Sequence, residues 1–227
     1  MVGSLGQPLL YLIAFGYGFG AVFARAGQGN YIQFLAPGVI AMSILFTAIF
    51  TGIEIIWDRQ FGFLKETMVA PVSRFAIMLG RTLGGATVAT FQGIIVLILS
   101  VFVGFRFTNY YHIPIALIFM FLIALLFTGL GTAIASMLED MQGFQLIMNF
   151  LVMPIYFLSG SLFPLNDLPF AMLVATKIDP MTYGIDGLRG TLGGVAQFGI
   201  VPDLFILSGI TFIILLIGSY LFSKIQI

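Results

Sequence analysis

Ile113-Pro114-Ile115-Ala116-Leu117-Ile118-Phe119-Met120-Phe121-Leu122-Ile123-Ala124-Leu125-Leu126-Phe127-Thr128-Gly129-Leu130-Gly131-Thr132-Ala133-Ile134-Ala135-Ser136-Met137-Leu138 contains no charged side chain, and Glu139-Asp140 closes it. Bilayer hydrocarbon is about 30 Å thick and a helix crosses it in about 20 residues, so this run is long enough to span. It is continuously apolar, whereas a barrel strand would alternate over about ten residues. In lipid the backbone must satisfy its own hydrogen bonds, which a helix does within one segment. The stretch reads as a transmembrane helix.

The same ruler, moved outward, predicts six spans in a single domain over 1–227: about 5–24, 34–57, 75–104, 113–138, 143–160 and 203–222. Polar residues from Arg25 to Asn30 close the first, and Ser223-Lys224 end the last. The 75–104 run exceeds what a crossing needs, which implies tilt or protrusion. No basic stretch precedes the first run and no small-residue cleavage site follows it, so it reads as a retained span rather than a signal peptide. The fold class expected is an all-α integral membrane protein. Composition agrees, with 60% hydrophobic and 8% charged residues, against about a quarter charged in soluble domains. Nine basic residues balance nine acidic ones, leaving no basic face for nucleic acid. Without Cys, disulfides and thiolate metal sites are excluded.

Six spans put both termini on one side. With that side cytoplasmic, Arg59, Lys65, Arg74, Arg81 and Lys224 lie inside and Arg25, Arg106, Lys177 and Arg189 outside. The bias follows the positive-inside rule, weakly.

Two polar segments interrupt the spans, 58–74 and 161–200. In the first, Phe61, Leu64 and Met68 fall at i, i+3 and i+7, an apolar stripe on a short helix, with Lys65 and Glu66 pointing elsewhere. Pro71 ends that helix and Ser73 caps the next span. Such a helix either rests on headgroups or projects into a cytosolic partner.

Ile56-Trp57-Asp58-Arg59-Gln60-Phe61-Gly62-Phe63-Leu64-Lys65-Glu66, with Ala70-Pro71-Val72-Ser73-Arg74 and Gly80-Arg81-Thr82-Leu83-Gly84-Gly85, resembles the permeases of ABC type-2 exporters, most nearly the daunorubicin-type efflux branch. Tyr156-Phe157-Leu158-Ser159-Gly160-Ser161-Leu162-Phe163-Pro164-Leu165 and Ile178-Asp179-Pro180-Met181-Thr182-Tyr183-Gly184-Ile185-Asp186-Gly187-Leu188-Arg189 agree in the same order. The resemblance covers nearly the whole chain. It implies that Asp58 to Pro71 is a cytoplasmic coupling helix docking into an ATPase subunit, with Asp58, Arg59, Phe61, Gly62, Phe63, Leu64, Lys65, Glu66, Pro71 and Arg74 as its ATPase-coupling residues. It also implies that the region around Asp179, Pro180, Tyr183, Asp186 and Arg189 forms short extracytoplasmic helices dipping back into the outer leaflet. A plasma-membrane permease is implied, its termini cytoplasmic, paired with a second copy of itself and surrounded by lipid. ATP and magnesium would be bound by the partner ATPase, and this chain would carry no cofactor. Related permeases carry an amphipathic, basic elbow helix ahead of the position of Gln7-Pro8-Leu9-Leu10-Tyr11; here six residues precede Gln7.

Other residues read in two ways. Glu54 sits inside the second apolar run, where an ionisable group suggests function, yet it is near enough to the interface to anchor there. Arg81 can snorkel to headgroups or serve as a structural part of the ATPase-facing end. Asp179-Pro180 is a helix-start signature, and Asp186 and Arg189 stand at i, i+3, where they can pair. A solvated hairpin is the alternative to the dipping helices, which the apolar stretch 168–174 favours. Gly16 with Gly20 and Gly80 with Gly84 have helix-contact spacing, expected to serve packing within the chain rather than across a dimer. Gly16-x-Gly18-x-Gly20 lies inside a span with no preceding strand, so it is no nucleotide fingerprint. The abundant Phe and Met, 25 and 11 residues, face lipid and neighbouring helices or form an adaptable lining.

Three function classes compete. An exporter permease needs an outside engine, since the sequence has no Gly-x-x-x-x-Gly-Lys-Ser/Thr loop. A membrane-embedded enzyme needs a catalytic constellation, yet there is one His, His112, and no Cys, while the adjacent acids Glu139 and Asp140 read as a span end. An ion-driven transporter usually carries charges near the midplane, whereas here charges cluster within a turn or two of span ends. The exporter is the expected class, moving a hydrophobic or amphipathic, drug-like or lipid-like substrate.

Overall fold

The computed structural model describes residues 2–26, 29–69, 71–165 and 168–225. Among them the chain is helical throughout, without a strand: α1 (Val2–Gly18), α2 (Gly20–Arg25), α3 (Tyr31–Phe50), α4 (Ile53–Gln60), α5 (Phe63–Val69), α6 (Arg74–Val103), α7 (Ile113–Met137), α8 (Met141–Leu158), α9 (Phe170–Ile178), α10 (Pro180–Gly193) and α11 (Ile200–Ser223), with a 3-10 turn at Tyr110–His112.

Among the described residues, five segments are long and apolar enough to cross a membrane: Tyr31–Gln60, which joins α3 to α4, Arg74–Val103, Tyr110–Met137, Met141–Leu158 and Ile200–Ser223. They match the spans expected at 34–57, 75–104, 113–138, 143–160 and 203–222. The expected first span at 5–24 is built from α1 and α2, each shorter than a crossing. Their junction still carries helical bonds, Phe19 N–H to the Phe15 carbonyl and Phe23 N–H to the Phe19 carbonyl, both 2.9 Å.

Local chemistry sets the ends. Asn30 accepts from Ile32 N–H, Ser73 from Ala76 N–H and Asp140 from Gly143 N–H, each satisfying an amide that a helix start leaves open. The Ser73 cap is the one expected from sequence. Asp179 caps α10 through Met181 N–H with Pro180 next, also as expected.

The core sits where α3 and α7 meet α6, α10 and α11. α3 is buried continuously from Leu35 to Leu45. α11 buries Asp203, Leu207, Thr211, Gly218 and Phe222, whose three- to four-residue rhythm marks one face; the others are left for lipid. α6 likewise buries Met78, Thr82, Ala86, Ala89, Gly93, Val96 and Ser100 on one side.

Close helix approach comes at glycines other than those expected. Open space faces Gly20, Gly80 and Gly84, and an added Cβ at Gly16 would meet only the Ile32 side chain. The tight crossing is between Gly52 and Gly131. A Cβ on Gly131 would lie 2.5 Å from the Ile49 carbonyl oxygen, and one on Gly52 2.6 Å from that of Gly131. Small-residue spacing on one helix says nothing about which face meets a neighbour, so the packing of Gly80 with Gly84 did not materialise within the chain.

Two ends of the bundle follow from hydrogen bonds. At one end Arg74 Nη1 donates to the carbonyls of Ser223 (2.5 Å) and Ile225 (3.1 Å), joining the start of α6 to the end of α11. At the other end Tyr17 donates to the Val103 carbonyl (3.0 Å), Thr108 N–H to that of Leu192 (3.0 Å) and Tyr31 to that of Leu162 (2.9 Å). The start of α1 therefore lies at the same end as the last turn of α11. At that end α4 and α5 protrude as a knuckle.

Candidate functional site

The knuckle begins where the long second crossing loosens. Thr51 and Gly52 separate α3 from α4, and Gly62 ends α4 by adopting φ +83°, a left-handed backbone that glycine takes without a Cβ penalty. The chain turns there and α5 starts at Phe63. This corrects one expectation. Phe61 stands in the turn, before α5, so Phe61, Leu64 and Met68 do not share one helical stripe. Leu64 is 1% exposed and holds the base of the knuckle with Ile55 and Ile56, whereas Phe61 and Phe63 are 72% and 56% exposed. Glu66 and Pro71 are exposed beside them. The side chains of Lys65 and Met68, and all of Ala70, lie outside the described part of the structure.

Polar contacts of Trp57, Asp58, Arg59 and Gln60 tie α4 to the bundle. Arg59 donates to the carbonyls of Leu138 (3.1 Å) and Ser136 (3.3 Å), and Gln60 to that of Glu139 (3.2 Å). Ser136 and the C-cap Leu138 are acceptors left open at the C-terminus of α7, where a cation is also favoured by the helix dipole, and Glu139 lies in the link to α8. Asp58 forms an ion pair with Arg81 of α6. Trp57 Nε1 points at the Met141 sulfur at the start of α8. These contacts join α4 to α6, α7 and α8. Arg81 is partnered within the bundle by Asp58. Glu54 is exposed on α4. Sequence reasoning had no signal for the α7 acceptors, because backbone carbonyls carry no residue identity.

At the opposite end α10 is buried from Met181 to Leu188 against α3, α7 and α11. The expected Asp186–Arg189 pair does not form. Asp186 accepts backbone N–H groups of Gln197 (2.9 and 2.8 Å) and Phe198 (2.8 Å), closing the link to α11. Arg189 Nη2 donates to the carbonyls of Gly160 (3.1 Å) and Phe34 (3.4 Å), its guanidinium 3.9 Å above the Phe34 ring. Helical i, i+3 spacing permits a pair, but backbone amides of the neighbouring loop took the carboxylate first. Burial lowers the Arg189 pKa to about 10, opposed by Asp186, so the side chain stays charged at neutral pH. Burial raises that of Asp179 to about 7, opposed by the bond from Met181 N–H. Tyr183 donates to the Lys177 carbonyl (2.7 Å), and its pKa is raised by burial, then by Asp203 and Asp179. No group of three or more His, Cys, Asp or Glu able to hold a metal occurs among the described residues.

Both the knuckle and the Asp179-to-Arg189 helix fall within residues 1–192, which match the family model described as ABC-2 type transporter. The chain belongs to the ABC-2 type transporter family. Nodulation protein J of Rhizobium leguminosarum bv. trifolii is 30% identical to this ABC-2 chain over 196 residues, covering 86% of it and 74% of that protein. A protein named as a transport permease, ycf38, of Cyanophora paradoxa is 29% identical over 83% of the chain. The chain spans 66% of that relative's length. The inner membrane transport permease YadH of Escherichia coli (strain K12) is 29% identical over 81% of the chain and 72% of its own length. As an ABC-2 family member with several helices long and apolar enough to cross a membrane, the chain is a multi-pass membrane protein.

Proposed function

We propose that the chain is the membrane-spanning permease subunit of an ATP-binding-cassette exporter, which moves a hydrophobic or amphipathic substrate out of the cytoplasm using ATP hydrolysed by a separate subunit. α1 and α2 together make the sixth crossing, and the termini and the knuckle face the cytoplasm. α5 is the coupling helix, and α9 and α10 re-enter the outer leaflet. Two copies of the chain flank the path. The observation that carries this reading is the knuckle: exposed aromatic and charged residues on a short helix whose base is bonded to the ends of α6, α7 and α8. Closure of the ATPase pair draws the two knuckles together, the bundles tilt, and the path changes from inward- to outward-facing. Directional movement follows because the two states differ in affinity for substrate and ATP supplies the bias.

Two measurements test it. Affinity purification of the full chain from native membranes is expected to bring down a nucleotide-binding subunit in a one-to-one ratio. The sequence has no Cys, so Phe61→Cys provides a single thiol at a 72% exposed site. It should react with a membrane-impermeant maleimide only after the cells are opened. Labelling in intact cells would place the knuckle outside and end the proposal.

A further inference from the structure

Two cavities adjoin at the end of the bundle opposite the knuckle. The first, about 350 Å³, carries polar side chains, Asn30, Gln33, Asp186, Arg189 and Gln197, in an otherwise apolar wall. The second, about 360 Å³, is apolar, lined by Phe15, Phe19, Val22, Tyr31 and Leu162. Phe23 and Pro164 line both, so the two cavities are neighbours sharing these two side chains. Each falls in the range of about 300–1,000 Å³ typical of small-molecule sites.

The wall of the first cavity holds one carboxylate, Asp186, and one guanidinium, Arg189. The Asp186 oxygens in its wall are taken up by the backbone N–H groups of Gln197 and Phe198. Arg189 has no carboxylate within ion-pairing distance among the described residues, and its Nε is buried without a hydrogen-bond partner. Its Nη2 bonds go to neutral carbonyls, which orient the guanidinium without neutralising it. A guanidinium offers five donors in a fixed fork suited to phosphate or carboxylate oxygens. Next to it, rings of α1 and α2 form a groove suited to a hydrocarbon chain. The aromatic run continues from Tyr11 against Phe15 (5.0 Å between centroids) to Phe19 (5.7 Å), and Phe23 lies 4.8 Å from Tyr31.

We propose that the two cavities form one binding site for a single anionic amphiphile, its phosphate or carboxylate head held by Arg189 and its hydrocarbon tail lying over Phe15, Phe19 and Phe23. The site needs neither nucleotide nor a partner subunit, so its test leaves the coupling reading untouched.

The full chain in phosphatidylcholine nanodiscs is dialysed to equilibrium against radiolabelled dodecyl phosphate, with empty nanodiscs as baseline. Saturable binding above baseline is expected, with one ligand per chain. Dodecyltrimethylammonium and dodecyl maltoside should compete poorly, and inorganic phosphate should not compete at matched concentration. Arg189→Gln should weaken binding roughly tenfold or more, the loss expected for a charge-assisted contact, and Arg189→Lys should recover part of it. Val22→Glu, at an exposed position of the apolar half, should also weaken dodecyl phosphate binding, which checks the tail if Arg189→Gln fails to fold. Equal competition by the cationic or neutral detergent overturns the head-group assignment. Equal competition by inorganic phosphate, or Val22→Glu without effect, overturns the amphiphile, and binding no greater than to empty nanodiscs overturns the site.

Discussion

Gly131→Val is expected to destabilise the folded bundle by at least about 3 kcal/mol, a large share of ordinary stability, since overpacking costs about 1–3 kcal/mol where side chains can adjust and more where they cannot. Here the obstruction is backbone. The first atom added to Gly131 would stand 2.5 Å from the Ile49 carbonyl oxygen, in the last turn of α3, and the reciprocal atom on Gly52 2.6 Å from the Gly131 carbonyl. Neither oxygen can rotate aside, so α7 must separate from the α3–α4 junction. The contacts that bind α7 to the knuckle lie a turn or two further along the same pair and should loosen with it. Gly80→Ala provides the opposite sign. Its Cβ enters open space, and alanine is favoured over glycine inside a helix by about 1 kcal/mol. Titration with denaturing detergent, followed by circular dichroism, should show Gly131→Val unfolding far earlier than the parent and Gly80→Ala no earlier. If Gly131→Val unfolds with the parent, the α3–α7 crossing described above is not the one in the membrane.

Lys65→Glu combined with Glu66→Lys is expected to lower export per ATP hydrolysed by between about 5- and 150-fold, the range of coupling free energies of about 1–3 kcal/mol. The chain should still insert and the ATPase should still turn over. α5 is a seven-residue helix with Glu66 exposed, and its apolar anchor is Leu64, so reversing the charges leaves the base intact. What changes is the face offered to a partner, where like charges brought together favour the wrong register or none. The tethers beneath remain: Arg59 on the α7 carbonyls and Asp58 on Arg81. A Cys-free chain inserted in inside-out vesicles with its ATPase, loaded with a fluorescent hydrophobic dye, gives both rates in one preparation. Export per ATP equal to that of the parent would remove α5 from the coupling role.

The helix ends around the candidate site were legible in the sequence. Pro71, Ser73, Asp179 and Pro180 announce helix ends because capping and the missing proline N–H act within four residues. The charges from Asp58 to Arg74 announce a segment outside the hydrocarbon for the same local reason. The partners were hidden. Asp186 and Arg189 looked like a pair by spacing, yet one is used by loop amides and the other by distant carbonyls. Nothing local in the sequence placed Asp58 beside Arg81.

Sequence by itself determined that this is a helical membrane protein, where most crossings begin and end, and that residues 58–74 form a polar interruption, because hydropathy, capping and proline act over one turn or one bilayer thickness. Tertiary structure alone decided that Gly52 meets Gly131 rather than Gly80 meeting its neighbour across a helix, that Arg59 closes the end of α7, and that Arg189 faces a cavity beside an aromatic groove. Those choices depend on which helix faces are opposed, and backbone acceptors far apart in the chain leave no mark in the residues that bind them.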